Sequence, residues 1–186
     1  MAKKKSKWKE RLYKFFVYFM VLISVVLVVV VFFGAYYFVI APTMIQKPFV
    51  MKPALPSDAL ERVENGEQVI KQDHINYLIN ELGAYKLHKP FGKEDPPVIE
   101  FVITDIGQRY YTYVNKNEPV TKKGNPKKED IIIKGSQKTI INILESNGIT
   151  AAVKEAEQNG EIIVELKSDM KTLATKGYLS IYDNIK

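Results

Sequence analysis

The chain has 186 residues, a formal net charge of +6 and no cysteine. The lack of cysteine excludes disulfides, cysteine-based zinc sites, iron–sulfur clusters and thiol catalysis. The charge is local, because residues 1–14 hold seven Lys or Arg and one Glu, whereas residues 42–186 hold twenty basic and twenty acidic residues. The composition therefore predicts a short basic tail, with no nucleic-acid partner, followed by an electrically neutral remainder.

Residues 15–41 form an apolar run of twenty-seven residues without a single charge. About 20 helical residues at about 1.5 Å each cross a hydrocarbon core of about 30 Å, so the run is long enough to span a membrane. A lone strand is excluded because its backbone groups would stay unpaired in lipid. Aromatic residues gather at both ends of the run, as in the interfacial belts of spanning helices: Trp8, Tyr13, Phe15, Phe16 and Tyr18 at one end, and Phe32, Phe33, Tyr36, Tyr37 and Phe38 at the other.

The charge asymmetry across this run predicts its orientation. The positive-inside rule keeps the basic tail, residues 1–14, in the cytoplasm and exports everything after residue 41. A cleaved signal peptide is the competing interpretation, since it also begins with a basic segment and an apolar run. The apolar run is too long for a signal peptide, and Pro42 directly after Ala41 should hinder cleavage. We therefore expect an uncleaved signal anchor and a single-pass protein of the cell membrane with an extracytoplasmic C-terminal domain.

Residues 42–56 contain four prolines and predict an extended, semi-rigid linker. Its apolar residues either lie along the membrane surface or pack on the domain that follows. That domain, residues 57–186, is long enough for one compact core without disulfides.

Helical and strand-like patterns alternate along the predicted domain. Ser57 or Asp58 should begin a short helix that ends near Asn65-Gly66. Apolar residues at helical spacing then predict one amphipathic helix over residues 67–87. Strand-like runs follow at residues 98–105, 110–114 and 130–134, and the Lys- and Pro-containing stretch 115–129 is predicted to be an exposed connection.

The C-terminal third continues with two helices, begun by Ser136 and Thr150 as N-caps. Residues 161–167 predict a fourth strand, residues 169–175 a short helix, and residues 178–182 a fifth strand. The predicted order is helix, three strands, two helices, strand, helix, strand.

The segment KKEDIIIKGSQKTIINILESNGITAAVKEAEQNGEIIVELKSDMKTLATKG resembles the second half of a sterol-carrier-protein-like domain. The shared features are a strand entered through Asp130, two helices, a strand led by Gly160, and a charged turn in which Asp169-Met170 opens a helix. The preceding hairpin and amphipathic helix are similar to the first half of that domain, so the resemblance covers roughly residues 60–180. Ser168 stands where the family commonly has Gly, and residues 177–186 extend past its usual end.

The resemblance implies an α+β fold in which helices cover a mostly antiparallel sheet of four to five strands. It also implies an apolar tunnel for a lipid or acyl chain. The candidate pocket-lining residues that follow from it are Tyr77, Leu78, Leu82, Tyr85, Phe101, Ile103, Ile140, Leu144, Val153 and Ala156.

Motifs that carry catalysis are missing from the sequence. His74 and His88 lack HExxH-type spacing, no GxSxG occurs, and residues 135–139 (GSQKT) lack the glycine and the Gly-Lys-Ser/Thr end of a phosphate loop. We therefore expect no enzyme activity, no metal and no cofactor.

Two function classes remain after this exclusion. The first is an extracytoplasmic, membrane-tethered module that binds a lipid or another apolar ligand, with membrane lipids as its partners. The alternative is a non-enzymatic scaffold subunit of a membrane or cell-envelope assembly, with a membrane protein as its partner.

Overall fold

A computed structural model describes residues 3–36, 44–90, 92 and 94–185. The chain divides into two compact units, residues 1–44 and residues 45–186. The end of the predicted anchor, residues 37–41, and the first two linker residues, Pro42 and Thr43, lie outside the described residues.

The N-terminal unit is one helix, α1 (Lys3–Ala35), which begins within the basic tail and continues through the apolar run. Its portion Trp8–Ala35 is long and apolar enough to cross a membrane. Ser24 Oγ donates a hydrogen bond to the Met20 carbonyl at 3.0 Å, so this hydroxyl is satisfied inside the helix. The predicted N-terminal helix is confirmed, whereas its insertion in a membrane and its direction stay predictions.

The second unit contains six α-helices, a short 3₁₀ helix and five strands among its described residues. In chain order they are α2 (Ala59–Glu64), α3 (Gln72–Glu81), the 3₁₀ helix (Ala84–Lys86), β1 (Val98–Ile103), β2 (Gln108–Asn115), β3 (Glu118–Lys123), β4 (Ile131–Gly135), α4 (Gln137–Glu145), α5 (Ile149–Gln158), β5 (Ile162–Leu166), α6 (Met170–Thr175) and α7 (Leu179–Ile185).

The strands form one sheet in the order β3-β2-β1-β4-β5. Three of its pairings are antiparallel, and the central pairing of β1 with β4 is parallel. Residues that pair in register share a face, and the face with Ile99, Phe101 and Ile133 is buried in the core together with the helices. The other face carries polar and half-buried side chains such as Tyr111 and Lys134. This is the predicted α+β architecture with a helix-covered, mostly antiparallel sheet.

The prediction for residues 115–129 was wrong in part, because β3 lies within this stretch. Lys116 and Asn117 both have positive φ, 49° and 65°, and they form a two-residue turn between β2 and β3. Two positive φ angles suit the right-handed twist of a hairpin. The turn contains no glycine, and for that reason the hairpin was missed.

The prediction of a strand over residues 178–182 was also wrong, because this stretch begins helix α7. The fifth strand of the sheet is β5, at the edge beside β4. Gly177, with φ of +85°, makes the turn from α6 into α7. A β-carbon at Gly177 would lie 3.2 Å from the His88 ring and 3.3 Å from the Lys86 carbonyl oxygen, so this turn requires glycine.

Helix α3 is shorter than the predicted helix 67–87. Before it, the backbone N–H groups of Val69 and Ile70 donate to the side-chain oxygen of Gln137 at 2.8 and 3.1 Å. Those groups are therefore satisfied outside a helix. After α3, Gly83 has φ of +97°, which ends the helix before the 3₁₀ turn.

Of the N-caps predicted for the two central helices, one is confirmed and one is wrong. Ser136 caps α4 as predicted, and its hydroxyl accepts from the Thr139 N–H at 3.1 Å. The predicted cap Thr150 was wrong, because α5 begins one residue earlier and Gly148 occupies the N-cap position. Asp58 stands at the N-cap of α2 without a side-chain capping bond.

Much of the predicted linker belongs to the second unit, which begins at Ile45. Lys47 pairs with Glu81 at 2.6 Å, and Asn80 donates to the Pro48 carbonyl at 3.4 Å. Leu55 packs against the core. The segment from residue 45 to residue 56 has no regular secondary structure and lies along the domain.

Candidate functional site

The ten residues predicted to line a pocket mostly lie in the packed core. Eight of them are buried, and Tyr77 and Tyr85 are half-buried. The buried eight belong to one continuous cluster that joins the sheet to α3, α4 and α5. Tyr77 also borders an open cleft near Lys52, and Ala156 borders a polar cleft between α4 and α5. The structure therefore brings these residues together, and that they contact a ligand stays a prediction.

An apolar groove lies elsewhere, between the edge strand β5 and helices α6 and α7. Its empty volume is about 370 Å³ including the part open to solvent, and the space in it that the centre of a water molecule can occupy is about 30 Å³. Ligand sites typically measure roughly 300–1,000 Å³, about ten times that space or more. Apolar and tyrosine side chains line it: Ile131, Val164, Leu166, Met170, Leu173, Tyr178, Leu179, Ile181, Tyr182 and Ile185.

The mouth of this groove is rimmed by large apolar side chains that face solvent. Met170 is 62% exposed, Leu179 51% and Leu166 44%. Tyr182 completes the rim at 41%. Grouped apolar exposure of this kind marks an interaction surface more often than isolated exposed residues do. The groove and its rim can bind an apolar chain through dispersion and the hydrophobic effect, without a charged recognition group.

A buried ionic cluster holds the end of α6 and the start of α7 in place beside the groove. Lys176 Nζ donates to both carboxylate oxygens of Asp130 at 2.9 and 3.0 Å, to Asp95 at 3.0 Å and to the Pro96 carbonyl at 3.2 Å. Lys176 and Asp130 are each 1% exposed. All three donors of the ammonium group therefore have acceptors, as a buried charge requires.

Asp130 is satisfied as completely as its lysine partner. It accepts from the Tyr178 hydroxyl at 3.0 Å, from the Ser168 hydroxyl at 2.8 Å and from the Val98 N–H at 2.9 Å. Burial, followed by the nearby Asp130 charge, raises the pKa of Tyr178 well above its ordinary value. The hydrogen bond from Lys176 is the main cause that lowers the pKa of Asp95. Because each member is paired, we assign this cluster a structural role. It links Asp130, next to β4, to the end of α6, and it fixes Tyr178 in the lining of the groove.

The sequence did contain a signal for the groove residues on α7. Tyr178, Ile181, Tyr182 and Ile185 follow the i, i+3, i+4, i+7 spacing of a helix. The shorter window 178–182, which follows Gly177, is rich in tyrosine and isoleucine, residues that are also typical of strands, and the strand prediction for it was wrong. The burial of Lys176 has no comparable sequence signal, because a lysine near a helix end is normally exposed.

No cluster of three or more histidine or carboxylate side chains is placed to hold a metal ion in the part of the chain that the structure describes.

Several solved structures match the chain. One is the UbiJ-SCP2 ubiquinone synthesis protein, with 8% identity, a TM-score of 0.33 and coverage of 48% of this chain and 71% of that one. Another is palmitated SCP2L2 from Aedes aegypti, with 17% identity, a TM-score of 0.35 and coverage of 57% and 90%. Both are sterol-carrier (SCP2) domains. They represent the family that the sequence resembles.

The stereoselective inverting sec-alkylsulfatase Pisa1 from Pseudomonas sp. also matches, with 18% identity, a TM-score of 0.30 and coverage of 45% of this chain. The chain spans 13% of that enzyme. No family model matches the chain, and no curated protein matches it. At these identities and TM-scores the likeness concerns the arrangement of elements, and no ligand or activity follows from it.

Proposed function

We propose that this chain is a single-pass, membrane-anchored protein whose domain binds the acyl chain of a membrane lipid without catalysing a reaction. The observation that carries the proposal is the apolar groove between β5, α6 and α7, with its solvent-facing rim of Leu166, Met170, Leu179 and Tyr182. An exposed apolar rim beside an apolar depression is the surface that an alkyl chain would cover, at roughly 25 cal/mol per Å² of apolar area removed from water.

Binding requires the groove to widen, since the space in it that the centre of a water molecule can occupy is only about 30 Å³. Helix α7 forms one wall of the groove and is held at both ends. Its start is fixed through Tyr178 and Asp130, and Asn184 near its end donates to the Leu82 carbonyl at 3.1 Å. The proposed ligand lies along the rim and displaces the exposed side chains of Leu179 and Tyr182, while both ends of α7 stay attached.

The proposed location of the domain is outside the cytoplasm, with residues 1–14 inside. Its support is the excess of basic residues before the apolar run and the charge balance after it. Protease added to intact cells stripped of their wall should digest the domain and spare the N-terminal tail. A protected domain in intact cells, digested only after the membrane is permeabilised, would contradict this orientation.

The binding proposal is tested with the full chain in detergent and a fluorescent polyene fatty acid. We expect saturable binding with one ligand per chain. Leu179→Asp should weaken it by roughly tenfold or more, because a carboxylate at the rim loses solvation when a chain covers it. Leu60→Asp is the matched control, since Leu60 is 37% exposed and lies on α2, outside the groove. Equal affinity for both variants and the unchanged chain would overturn the proposal.

A scaffold role is the second candidate, and the narrowness of the groove favours it. A groove with so little space, about 30 Å³ for the centre of a water molecule, suits a single apolar side chain from a partner protein as well as it suits a lipid. In that case the fatty acid should bind without saturation and without dependence on Leu179.

A further inference from the structure

We propose that the segment following the apolar helix carries a membrane-inserting wedge, formed by Phe49 and Met51, that docks the domain on the lipid surface. Phe49 is 91% exposed and Met51 is 76% exposed. Exposure alternates along residues 47–51, so that Pro48 and Val50 turn toward the domain while Phe49 and Met51 turn away from it. An extended backbone places residues i and i+2 on one side. The two side chains therefore point outward together.

The segment that carries the wedge is attached to the domain on both sides of Phe49 and Met51. Upstream of Phe49, Lys47 pairs with Glu81 of α3 at 2.6 Å. At Pro48 the backbone carbonyl accepts from Asn80, which is fully buried. Downstream, Leu55 packs into the core. These attachments fix the backbone on both sides of the wedge, so little conformational entropy is lost when its side chains enter another phase.

We infer that the wedge contacts the lipid surface from its position along the chain and from the chemistry of its side chains. Eight Cα-to-Cα steps lead from Ala41, the last residue of the apolar run, to Phe49. At about 3.3–3.6 Å per residue they reach at most about 28 Å, so Phe49 stays close to the membrane that the run is proposed to span. Large apolar side chains insert about 5–10 Å into the boundary between headgroups and acyl chains. Lys52, which follows Met51, is exposed, and a lysine near a membrane surface is attracted to anionic headgroups.

This proposal depends on membrane insertion of the anchor, and it is independent of the lipid-binding groove. The groove lies between β5, α6 and α7, whereas the wedge segment is attached to α3. A failure of fatty-acid binding in the groove would therefore leave the wedge proposal untouched, because membrane insertion of the wedge is measured separately.

The test uses single-tryptophan forms of the full chain, in which Trp8, the single native tryptophan, is replaced in W8F. F49W and M51W place the reporter in the wedge. I163W is the matched control, since Ile163 is 52% exposed and alternates with the buried Ile162, which puts it on the face of β5 turned away from the core. Each form is reconstituted in vesicles of phosphatidylcholine and phosphatidylglycerol, with or without phosphatidylcholine brominated near the top of its acyl chains.

We expect blue-shifted emission for F49W and M51W, quenched roughly twofold or more by the brominated lipid at a depth of about 5–10 Å. The I163W control should emit at the wavelength of exposed tryptophan and show little quenching. Solvent-like emission from both wedge variants would overturn the proposal. Blue-shifted emission without lipid quenching would also overturn it, and would indicate that a protein surface covers the wedge. Two variants at exposed positions keep the test valid if one of them folds poorly.

Discussion

Replacing Lys176, the buried lysine of the ionic cluster, should lower the free energy of unfolding of the domain more than the replacement of an exposed lysine does. In Lys176→Met the carboxylate of Asp130, 1% exposed, loses its cation but keeps donors from Tyr178, Ser168 and Val98. Breaking a buried ion pair by removing one partner costs about 3–5 kcal/mol. Because these three donors remain, we expect the lower end, about 3 kcal/mol.

The cost should be visible as a fall in thermal stability of roughly 10 °C, since 1 kcal/mol shifts the midpoint of a domain of this size by about 2–4 °C or slightly more. Pulse proteolysis of the full chain in detergent and urea measures the free energy of unfolding without a signal from the anchor. Lys171→Met is the matched control, because Lys171 is exposed on the same helix α6. That change should stay within about 0.5 kcal/mol.

A double variant separates the ion pair from the packing of the lysine chain. Asp130→Asn together with Lys176→Met removes both charges, so its cost should be smaller than the sum of the two single costs. A Lys176→Met variant as stable as Lys171→Met would refute the reasoning. Exact additivity of the two single changes would refute it as well, because the carboxylate and the ammonium group would then not be coupled.

Three further changes test other parts of the structure by the same unfolding assay. Burial lowers the pKa of His74 below its ordinary 6.5, so the unfolded chain binds more protons than the folded one, and the free energy of unfolding should fall as pH drops below about 6.5. The fall should be less steep in His74→Gln. A free energy of unfolding that does not change with pH in the unchanged chain would contradict this. Gln137→Leu leaves two buried backbone N–H groups without an acceptor and should cost about 2–4 kcal/mol, whereas the exposed neighbour change Lys138→Leu should be nearly neutral. Leu144→Trp, at a side chain 1% exposed, should cost about 1–3 kcal/mol by overpacking; full stability with weakened fatty-acid binding would instead indicate a cavity there.

Features that depend on neighbouring residues could be predicted from the sequence. The apolar run predicted α1, and Ser136 and Asp169 predicted the starts of α4 and α6, where each side chain accepts from the N–H three residues ahead at 3.1 and 3.0 Å. These bonds form within a single turn of chain, so their signal is local.

Features that depend on distant contacts could not be predicted. Strand β3 is stabilised by its pairing with β2 across a turn of Lys116 and Asn117, which carries no glycine signal. The stretch after Gly177 contains tyrosine and isoleucine, which also suit a strand, and its packing against α5 and the core stabilises it as a helix. The groove exists because α7 packs there, so predicting a strand for this stretch also removed the groove from the prediction.

The lipid-binding claim is tested most directly by mapping where an acyl chain lies on the protein. A fatty acid with a photoreactive diazirine in its chain is added to the full protein in detergent, irradiated, and the modified peptides are identified by mass spectrometry. The proposal predicts adducts within residues 164–185, at the rim side chains Leu166, Met170, Leu179 and Tyr182, and their suppression by an excess of unlabelled fatty acid. Adducts confined to the anchor, residues 15–36, or insensitive to competition, would contradict the proposal.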